Sequence, residues 1–527
     1  MFWHARNGRT ICLADQLPAI DVPAVMNGRV RFAGLPPVDL RTATDGSVDW
    51  RQNPHGNRSW ALNLHNLRWV GRLVAEYERS GARDRLDRAA ALADDWLRAN
   101  PRGDSGISPW AWAEHAVALR APVLVCLSDH VRTPLLWESL TEHGTVLANP
   151  ALYRQGHNHG LDQDIALLVI GCRLGRATWR KLAVRRMVRS AELAIDEQGV
   201  LHEQAPRYGL YVHRRLGMAL RVIEESGIEV PARLAARQRS LEAYIAHAIQ
   251  PDGRLAPIGD SPASTRPKGF ATSGPPVRVF DGGYVFGRTA WNDPRSAFYS
   301  IRFGPGRRLH GHEDHLGVTY YADGHPILVE AGFHSYEKNA YVEWTRSPEA
   351  HNVPTVTGAD FRPGTATRLT GSASGPSQQS FTLEDEAYGG RRHREVLVNH
   401  GPDLMAVLDT APAGKTMRSL WHFDPSLKLI STRDGEVVLG DGDRRVTLLQ
   451  RTIPDCRRAT GQTVRPGIIS PDHLTTAETV TIESPPAPRL LTLIVPGTAT
   501  SQPTVRDGQI TVHTPGGPVD LTSLSAF

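Results

Sequence analysis

Pro251-Asp-Gly-Arg-Leu-Ala-Pro-Ile-Gly-Asp-Ser-Pro-Ala-Ser-Thr-Arg-Pro267 divides this chain. Its proline, glycine and serine mark a linker or long crossing loop, continuing to about residue 277. Upstream, the sequence has the period of helices. In 60–79, Leu67, Val70, Val74 and Tyr77 recur at i, i+3, i+7 and i+10, one face of a helix. Over 84–99, Leu86, Ala89, Ala93, Trp96 and Leu97 share a face, and Asn100-Pro101 stops the run. Similar segments follow near 110–128, 133–147, 161–174, 176–196, 209–226 and 231–249, with short joins such as Glu78-Arg-Ser-Gly81. Helices joined this way predict antiparallel hairpins in a bundle, solenoid or closed toroid. No fixed-period repeat marks a TPR or HEAT array. Downstream come short alternating or β-branched runs: 277–287, 296–303, 316–322, 326–330, 394–400, 404–410, 427–431, 444–450, 478–483 and 490–495. Turn pairs such as Asp281-Gly282, Asp323-Gly324 and Asp434-Gly435 punctuate them, which predicts an antiparallel sandwich. The expected division is a helical domain over 1–260 and an antiparallel β domain over 261–527.

The 527 residues allow two to four domains by length, and 40% hydrophobic with 22% charged residues is ordinary globular composition. No apolar run approaches the ~18 residues of a membrane span. The start, Met1 to Gly8, lacks the basic-then-apolar layout of a signal peptide, so the expected location is cytoplasmic, or periplasmic or secreted if the true start lies upstream. Cys12, Cys126, Cys172 and Cys456 show no C-x-x-C spacing. The net charge of +5 favours anionic partners. Of the 60 basic residues 55 are arginine; a GC-rich coding sequence explains that more simply than anion gripping does. Arg214-Arg215 and Arg391-Arg392 lack interleaved aromatics, so no nucleic-acid partner is expected, and no membrane partner either. There is no Walker lysine loop, G-x-S-x-G elbow or H-E-x-x-H, and Gly304-Pro-Gly306 has no dinucleotide-binding context.

Three clusters can carry chemistry. In Arg307-Arg-Leu-His-Gly-His-Glu-Asp-His315, His310 and His312 at i and i+2 of a strand point to one face, one as acid/base and one as ligand. A metal there needs about four N/O ligands, and Glu330, closing the apolar run Pro326–Val329, and His351 are the candidates. In Gln155-Gly-His-Asn-His-Gly160, Asn158 or His159 stands at a helix N-terminus, where an anion is welcome; Asn158 as a simple N-cap is the plainer alternative. In Leu201-His-Glu-Gln-Ala-Pro-Arg-Tyr-Gly-Leu-Tyr211, Tyr208 lies beside Arg207, a cation able to lower a phenol toward use as a base. Nine of the twelve tryptophans precede residue 200. Trp69, Trp96 and Trp137 read as core, and Trp60, Trp110 and Trp112 as sugar-stacking candidates.

Taken in order, these motifs resemble the heparinase II/III family of polysaccharide lyases. The residues that carry the resemblance are His310-Gly-His-Glu-Asp314, Gly324-His-Pro-Ile-Leu-Val-Glu-Ala-Gly-Phe-His-Ser-Tyr336 and Arg346-Ser-Pro-Glu-Ala-His-Asn352. Asn158-His-Gly160, Glu203-Gln-Ala-Pro-Arg-Tyr208, His393-Arg394 and Trp421-His-Phe423 match further family positions, so the resemblance spans roughly 50 to 450. It implies an (α/α) toroid followed by an antiparallel β-sandwich, and β-elimination at a uronic acid of an acidic polysaccharide or oligosaccharide. Asn158, helped by His159, would bind the uronate carboxylate, and Tyr208 would be base and acid. His310 would assist, or serve as base for the opposite C5 epimer. Arg207, Tyr211, His393, Arg394, Trp110 and Asn352 would contact substrate. His312, Glu330 and His351 fall on the ligand positions of a structural zinc. A homodimer is left open.

Two departures stand out. Gly209 follows the tyrosine where histidine is frequent in the family, and Glu330 replaces the usual aspartate, so a metal-free sandwich is the alternative. Two other functions compete: a weakly catalytic carbohydrate-binding protein of exopolysaccharide metabolism, and a glycoside hydrolase using a carboxylate pair from Asp162, Asp164 and Glu114.

Overall fold

A computed structural model describes residues 17–41, 47–498, 503–506, 509–514, 516–521 and 523–524. Cys12 and the start of the chain read for a signal peptide lie outside them. The chain divides into two compact units, 1–195 with 211–239, and 196–210 with 240–527. Residues 196–210 and 240–260, assigned on sequence to the helical half, thus group with the β unit.

In the first unit the predicted helices appear as α1 (Arg58–His65), α2 (Arg68–Ser80), α3 (Arg83–Ala99), α4 (Glu114–Leu127), α5 (Pro134–Ala148), α6 (Asn158–Arg173) and α7 (Ala177–Ala194). Two more, α8 (Pro206–Glu225) and α9 (Ala232–His247), continue from one unit into the other. The single helix expected over 60–79 is broken, because Leu67 takes a left-handed conformation (φ 51°) and Asn66 Oδ1 accepts from Arg68 N (2.9 Å). Every residue of α4 from Ala116 to Leu127 is buried, as is every residue of α6 from Gly160 to Gly171. Helices buried on all sides need neighbours all round. They have them: α2, α4 and α6 pack in one layer, α3, α5 and α7 in a second, and each inner helix pairs with its outer successor. This is the nested layering of an (α/α) toroid.

The core of this unit holds a charge. Arg120 on α4 is fully buried and lies 3.8 Å over the Trp96 ring, with Nε donating to His143 Nε2 (2.9 Å) and Nη1 to the His65 carbonyl (2.7 Å). Trp96 Nε1 donates to His65 Nδ1 (3.2 Å), so that nitrogen must stay unprotonated. Burial, reinforced by Arg120, lowers His65 to about 3 and pushes His143 well down too.

The second unit is antiparallel β throughout its main sheets. A five-stranded sheet runs β1 (Val277–Phe280), β2 (Tyr284–Arg288), β3 (Phe298–Arg302), β4 (Val318–Ala322) and β5 (His325–Leu328), in chain order. The next strands are β6 (Pro354–Val356), β7 (Arg368–Ser374), β8 (Gln378–Asp385), β9 (Arg392–Asn399), β10 (Leu404–Thr410), β11 (Met417–His422), β12 (Lys428–Arg433), β13 (Glu436–Asp441) and β14 (Arg444–Thr452). After them come β15 (Arg457–Arg458), β16 (Thr463–Ile469), β17 (Ala477–Glu483) and β18 (Arg489–Pro496). The large sheet is ordered β12-β13-β14-β18-β10-β9-β8-β7, with β15 added beside β14; β16-β17-β11-β6 form another. Val285, Tyr299, Ile301 and Val318 of the first sheet share a core with Phe381, Val396, Val407 and Ile494 of the large one. The opposite face of the large sheet buries Leu397, Leu408, Leu449 and Leu493 against Ile510, Val512 and Val519. Covered on both sides, β9 and β10 are buried along nearly their whole length.

The buried histidines set an acid sensitivity. For His65 and His143 the folded pKa lies below the unfolded value near 6.5, so the stabilisation is whole above that pH and is lost as pH falls toward about 3 for His65. At roughly 1.4 kcal/mol for each pH unit between the two values, this is a loss of several kcal/mol. Urea midpoints measured from pH 7 down to pH 4 should fall steeply, and His65→Gln should flatten the slope. An equal slope in that variant would remove His65 as its source.

Candidate active site

The β unit brings three distant segments together at one point. Pro206 starts α8, and Tyr208 sits in its first turn, half-buried. The Tyr208 ring lies flat on His310, with centroids 3.5 Å apart and planes 9° from parallel. Its hydroxyl is hydrogen-bonded to the hydroxyl of Tyr336. Asp260, from the linker, is buried and accepts from His310 Nδ1 (2.9 Å), His312 Nε2 (3.0 Å) and Arg346 Nη2 (3.4 Å). Glu203 Oε2 faces His310 Nε2 at 3.7 Å, and the Glu203 carbonyl accepts from His310 N (3.1 Å). Burial alone would raise Asp260, but the hydrogen bonds from His310 and His312, with Arg346 beside them, hold its carboxyl below the usual range.

Tyr208 is not the lowered phenol expected from Arg207. Burial, then Tyr336 and Asp260, push its pKa well above the ordinary value. Arg207 acts instead on Tyr336, where its pull does not offset burial and Asp260. Tyr208 is therefore a protonated hydroxyl at neutral pH. Tyr336, Asp260, Glu203 and Arg346 are the members to which the sequence assigns no role. Tyr336, Glu203 and Arg346 stand inside the family-like motifs, whereas Asp260 lies in the linker with no motif around it.

The helical unit has a cluster of its own. His157, not Asn158, caps α6, its Nδ1 accepting from His159 N (3.0 Å). Asn158 is the first helical residue and is buried. Gly160 is obligatory, since a Cβ there would lie 2.0 Å from the Arg154 carbonyl oxygen. His159 stacks on His115 (3.7 Å, 17°) and approaches Glu114 Oε1 at 3.5 Å, a hydrogen bond that lowers Glu114 to about 2. Asp162 accepts from His115 Nε2 (2.9 Å) and Tyr211 Oη (2.7 Å), and Arg215 Nε lies 2.5 Å from it. Asp164 is held by Tyr153 Oη (2.7 Å) and Arg186 (2.8 Å). The carboxylates nominated for a hydrolase are each engaged by neighbours.

The candidate metal ligands do come close. The His312 and His351 rings are 5.3 Å apart, and His351 Nδ1 is hydrogen-bonded to Glu330. Two imidazoles and a carboxylate suit zinc, and His312 Nδ1 and His351 Nε2 are buried with no hydrogen-bond partner. As placed, however, Glu330 is hydrogen-bonded to His351 while His312 is bonded to Asp260, and among the described residues no three His, Cys, Asp or Glu side chains are arranged to hold a metal ion.

Several expected substrate contacts are structural. Arg394 is fully buried, paired with Asp409 (2.6 and 2.7 Å), and donates to the carbonyls of Leu316 (2.8 Å) and Asn352 (2.6 Å). Asn352 is equally buried, donating to the Val318 and Val329 carbonyls (2.9 Å each) and accepting from His422 N (2.7 Å). His393 is half-buried on β9, opposite Glu384 of β8. Tyr211 is tied to Asp162. Trp60 is core, packed on Phe32. Trp112 is half-buried, its Nε1 donating to the Asn100 carbonyl (3.0 Å), and Trp137, expected in the core, is only half-buried. Trp110 is also half-buried, with Arg58 over its ring at 5.5 Å.

Residues 277–506 match the sequence model of the family described as Heparinase II/III-like, C-terminal. A comparison with curated proteins finds no match. Among solved structures, heparinase III is 15% identical over 92% of this chain and 86% of its own, with a TM-score of 0.77. A mutant of the heparan sulfate lyase HepC from Pedobacter heparinus is 14% identical over 98% and 91%, with a TM-score of 0.71. The chondroitin AC lyase of Streptomyces coelicolor A3, solved with chondroitin sulphate, is 12% identical over 86% and 79%, with a TM-score of 0.54. At these identities the likeness is one of fold. The chain thus has the two-part fold of a helical region followed by antiparallel β sheets. The family matched over residues 277–506 is the one that the motifs resemble.

Replacing Arg394 by Met should lower stability by ~3–5 kcal/mol, because it leaves Asp409 charged and buried. Chemical denaturation measures this. A variant of unchanged stability with weakened glycan binding would restore the substrate role for Arg394.

Proposed function

We propose that this protein is a polysaccharide lyase cleaving uronate-containing acidic glycans by β-elimination. The observation that carries this reading is the stacked Tyr208–His310 pair with the Tyr336 hydroxyl on that of Tyr208, set in a heparinase II/III-like domain. Solved proteins of similar fold include a heparan sulfate lyase and a chondroitin AC lyase, which supports a glycosaminoglycan-like substrate.

H5 of a uronate is a poor acid while the adjacent carboxylate is ionised, so donors must first offset that charge. Asn158, at the positive end of α6 with His159 beside it, is suited to that task. Tyr208, as phenolate, takes H5. The C–H electrons form the C4=C5 double bond, the C4–O4 bond breaks, and Tyr208 returns the proton to O4. The phenolate is regenerated and no water is consumed. Tyr336 holds the Tyr208 oxygen in place and can share its proton. His310, with both ring nitrogens facing carboxylates, is better disposed to brace Tyr208 than to take H5 from the opposite epimer. Arg207 and Trp110 remain candidates for contact with the chain. A zinc ion held by His312, Glu330 and His351 would be structural, supplying rigidity beside these residues and taking no part in proton transfer.

Incubation with a panel of acidic glycans should produce the absorbance of an unsaturated uronate end. Tyr208→Phe should lower turnover by at least about 10³-fold with the fold retained, as expected for an essential proton-transfer group. Because the phenol is held protonated, the phenolate fraction, and kcat/KM with it, should rise about tenfold per pH unit from roughly pH 6 to 9. A flat profile would limit Tyr208 to the role of acid, and no product from any glycan with an intact fold would overturn the lyase reading.

Elemental analysis should find about one zinc per chain, and chelation should lower the melting temperature. Metal-free protein indifferent to chelator would instead establish the hydrogen-bonded sandwich.

A further inference from the structure

Gln204 stands between the two residues that matter most, four before Tyr208 in sequence and bonded to the loop that ends in His310. It is 1% exposed and holds a left-handed backbone (φ 61°) that a side chain of its type rarely adopts. Its amide group is spent entirely on that loop. Nε2 donates to the carbonyls of Pro305 (3.0 Å) and Gly306 (3.1 Å), and Oε1 accepts from Arg308 N (2.6 Å). The loop is closed on itself as well, Arg307 Nε donating to the Gly311 carbonyl (2.8 Å).

The fit around Gln204 leaves no slack. A Cβ on Gly311 would stand 2.3 Å from Gln204 Oε1, and one on Gly259 would stand 2.5 Å from the His310 carbonyl oxygen and 2.9 Å from that of Gln204. Leu309, immediately before His310, is also left-handed (φ 44°) and half exposed. Two non-glycine residues in this conformation, on the facing segments that carry Tyr208 and His310, are strain concentrated where the surrounding structure over-determines the backbone. Left-handed non-glycine residues also occur elsewhere in the β unit, but here two of them flank the stacked Tyr208 and His310.

We infer that Gln204 is a positioning residue of the active site, clamping the 305–308 loop so that His310 keeps its stacked orientation on Tyr208. This rests on the lyase reading above. Gln204 touches no substrate in this role and acts through the loop. Losing the clamp frees two carbonyls and one N–H of the loop, and a shift of about 1 Å at a catalytic group can cost on the order of 10²-fold in rate.

The test uses the full chain with Gln204→Met, which keeps the bulk and loses the hydrogen bonds, and Gln204→Gly, which also relieves the left-handed strain. On the glycan that the unaltered protein degrades best, kcat should fall about 10- to 100-fold in both while KM changes less than about threefold. Amide exchange of residues 304–311 should accelerate at least about tenfold, with the rest of the β unit unchanged. A merely structural role would lower the melting temperature and leave kcat intact, which would overturn the proposal. So would exchange of 304–311 at the original rate, and so would failure of both variants to fold. If the unaltered protein cleaves no glycan, the lyase reading fails, and the exchange data alone decide whether Gln204 clamps the loop.

Discussion

A buried carboxylate must be neutralised from within the protein, and at Asp260 that requirement organises the whole candidate site. Its two oxygens take His310, His312 and Arg346, from two stretches that are distant from it in the chain. Its backbone N–H also donates to the His310 carbonyl (2.9 Å). Side chain and main chain therefore constrain the same histidine, and removing any partner would leave charge stranded in a medium that cannot solvate it. The orientation of His310 follows, and with it the flat stack on Tyr208 and the line of hydroxyls to Tyr336. The linker, the least structured stretch in the sequence, thus supplies the residue on which the geometry depends.

The arginines show the same rule at larger scale. Arg302 with Asp314, Arg392 with Asp385 and Arg394 with Asp409 are ion pairs buried in the β unit. Arg120 in the helical unit is buried against tryptophan faces and neutral histidines instead. An arginine-rich composition invites the thought of an anionic partner, yet these side chains are consumed by the protein's own interior. For an acidic glycan the position of an arginine such as Arg207 would matter, and not the total number.

The helices are legible because a 3.6-residue period persists over ten or more residues, long enough to show in α3, where one face is buried. Strands are less so. The run 404–410 coincides with β10, but β7, β8, β11, β13 and β16 have no counterpart among the runs read from the sequence. β7 and β16 lie at sheet edges, largely exposed, and carry glycine, while β11 is too short and mixed for a period of two to emerge. In the site, motifs point to Tyr208 and His310. They point equally to Arg394 and Asn352, and there the matching positions carry packing and not contact with substrate.

By itself the sequence determined the order of helical and β segments, the break near residue 250 and the identity of the chemical groups, because periodicity and motif spacing are local properties. The tertiary structure alone decided which groups act together. Whether an arginine grips a glycan or an aspartate, whether a tyrosine is lowered by a cation or raised by burial, and whether Asp260 matters at all depend on neighbours tens to hundreds of residues away. Electrostatic and hydrogen-bond energies are set by those distances in space, which no local pattern encodes.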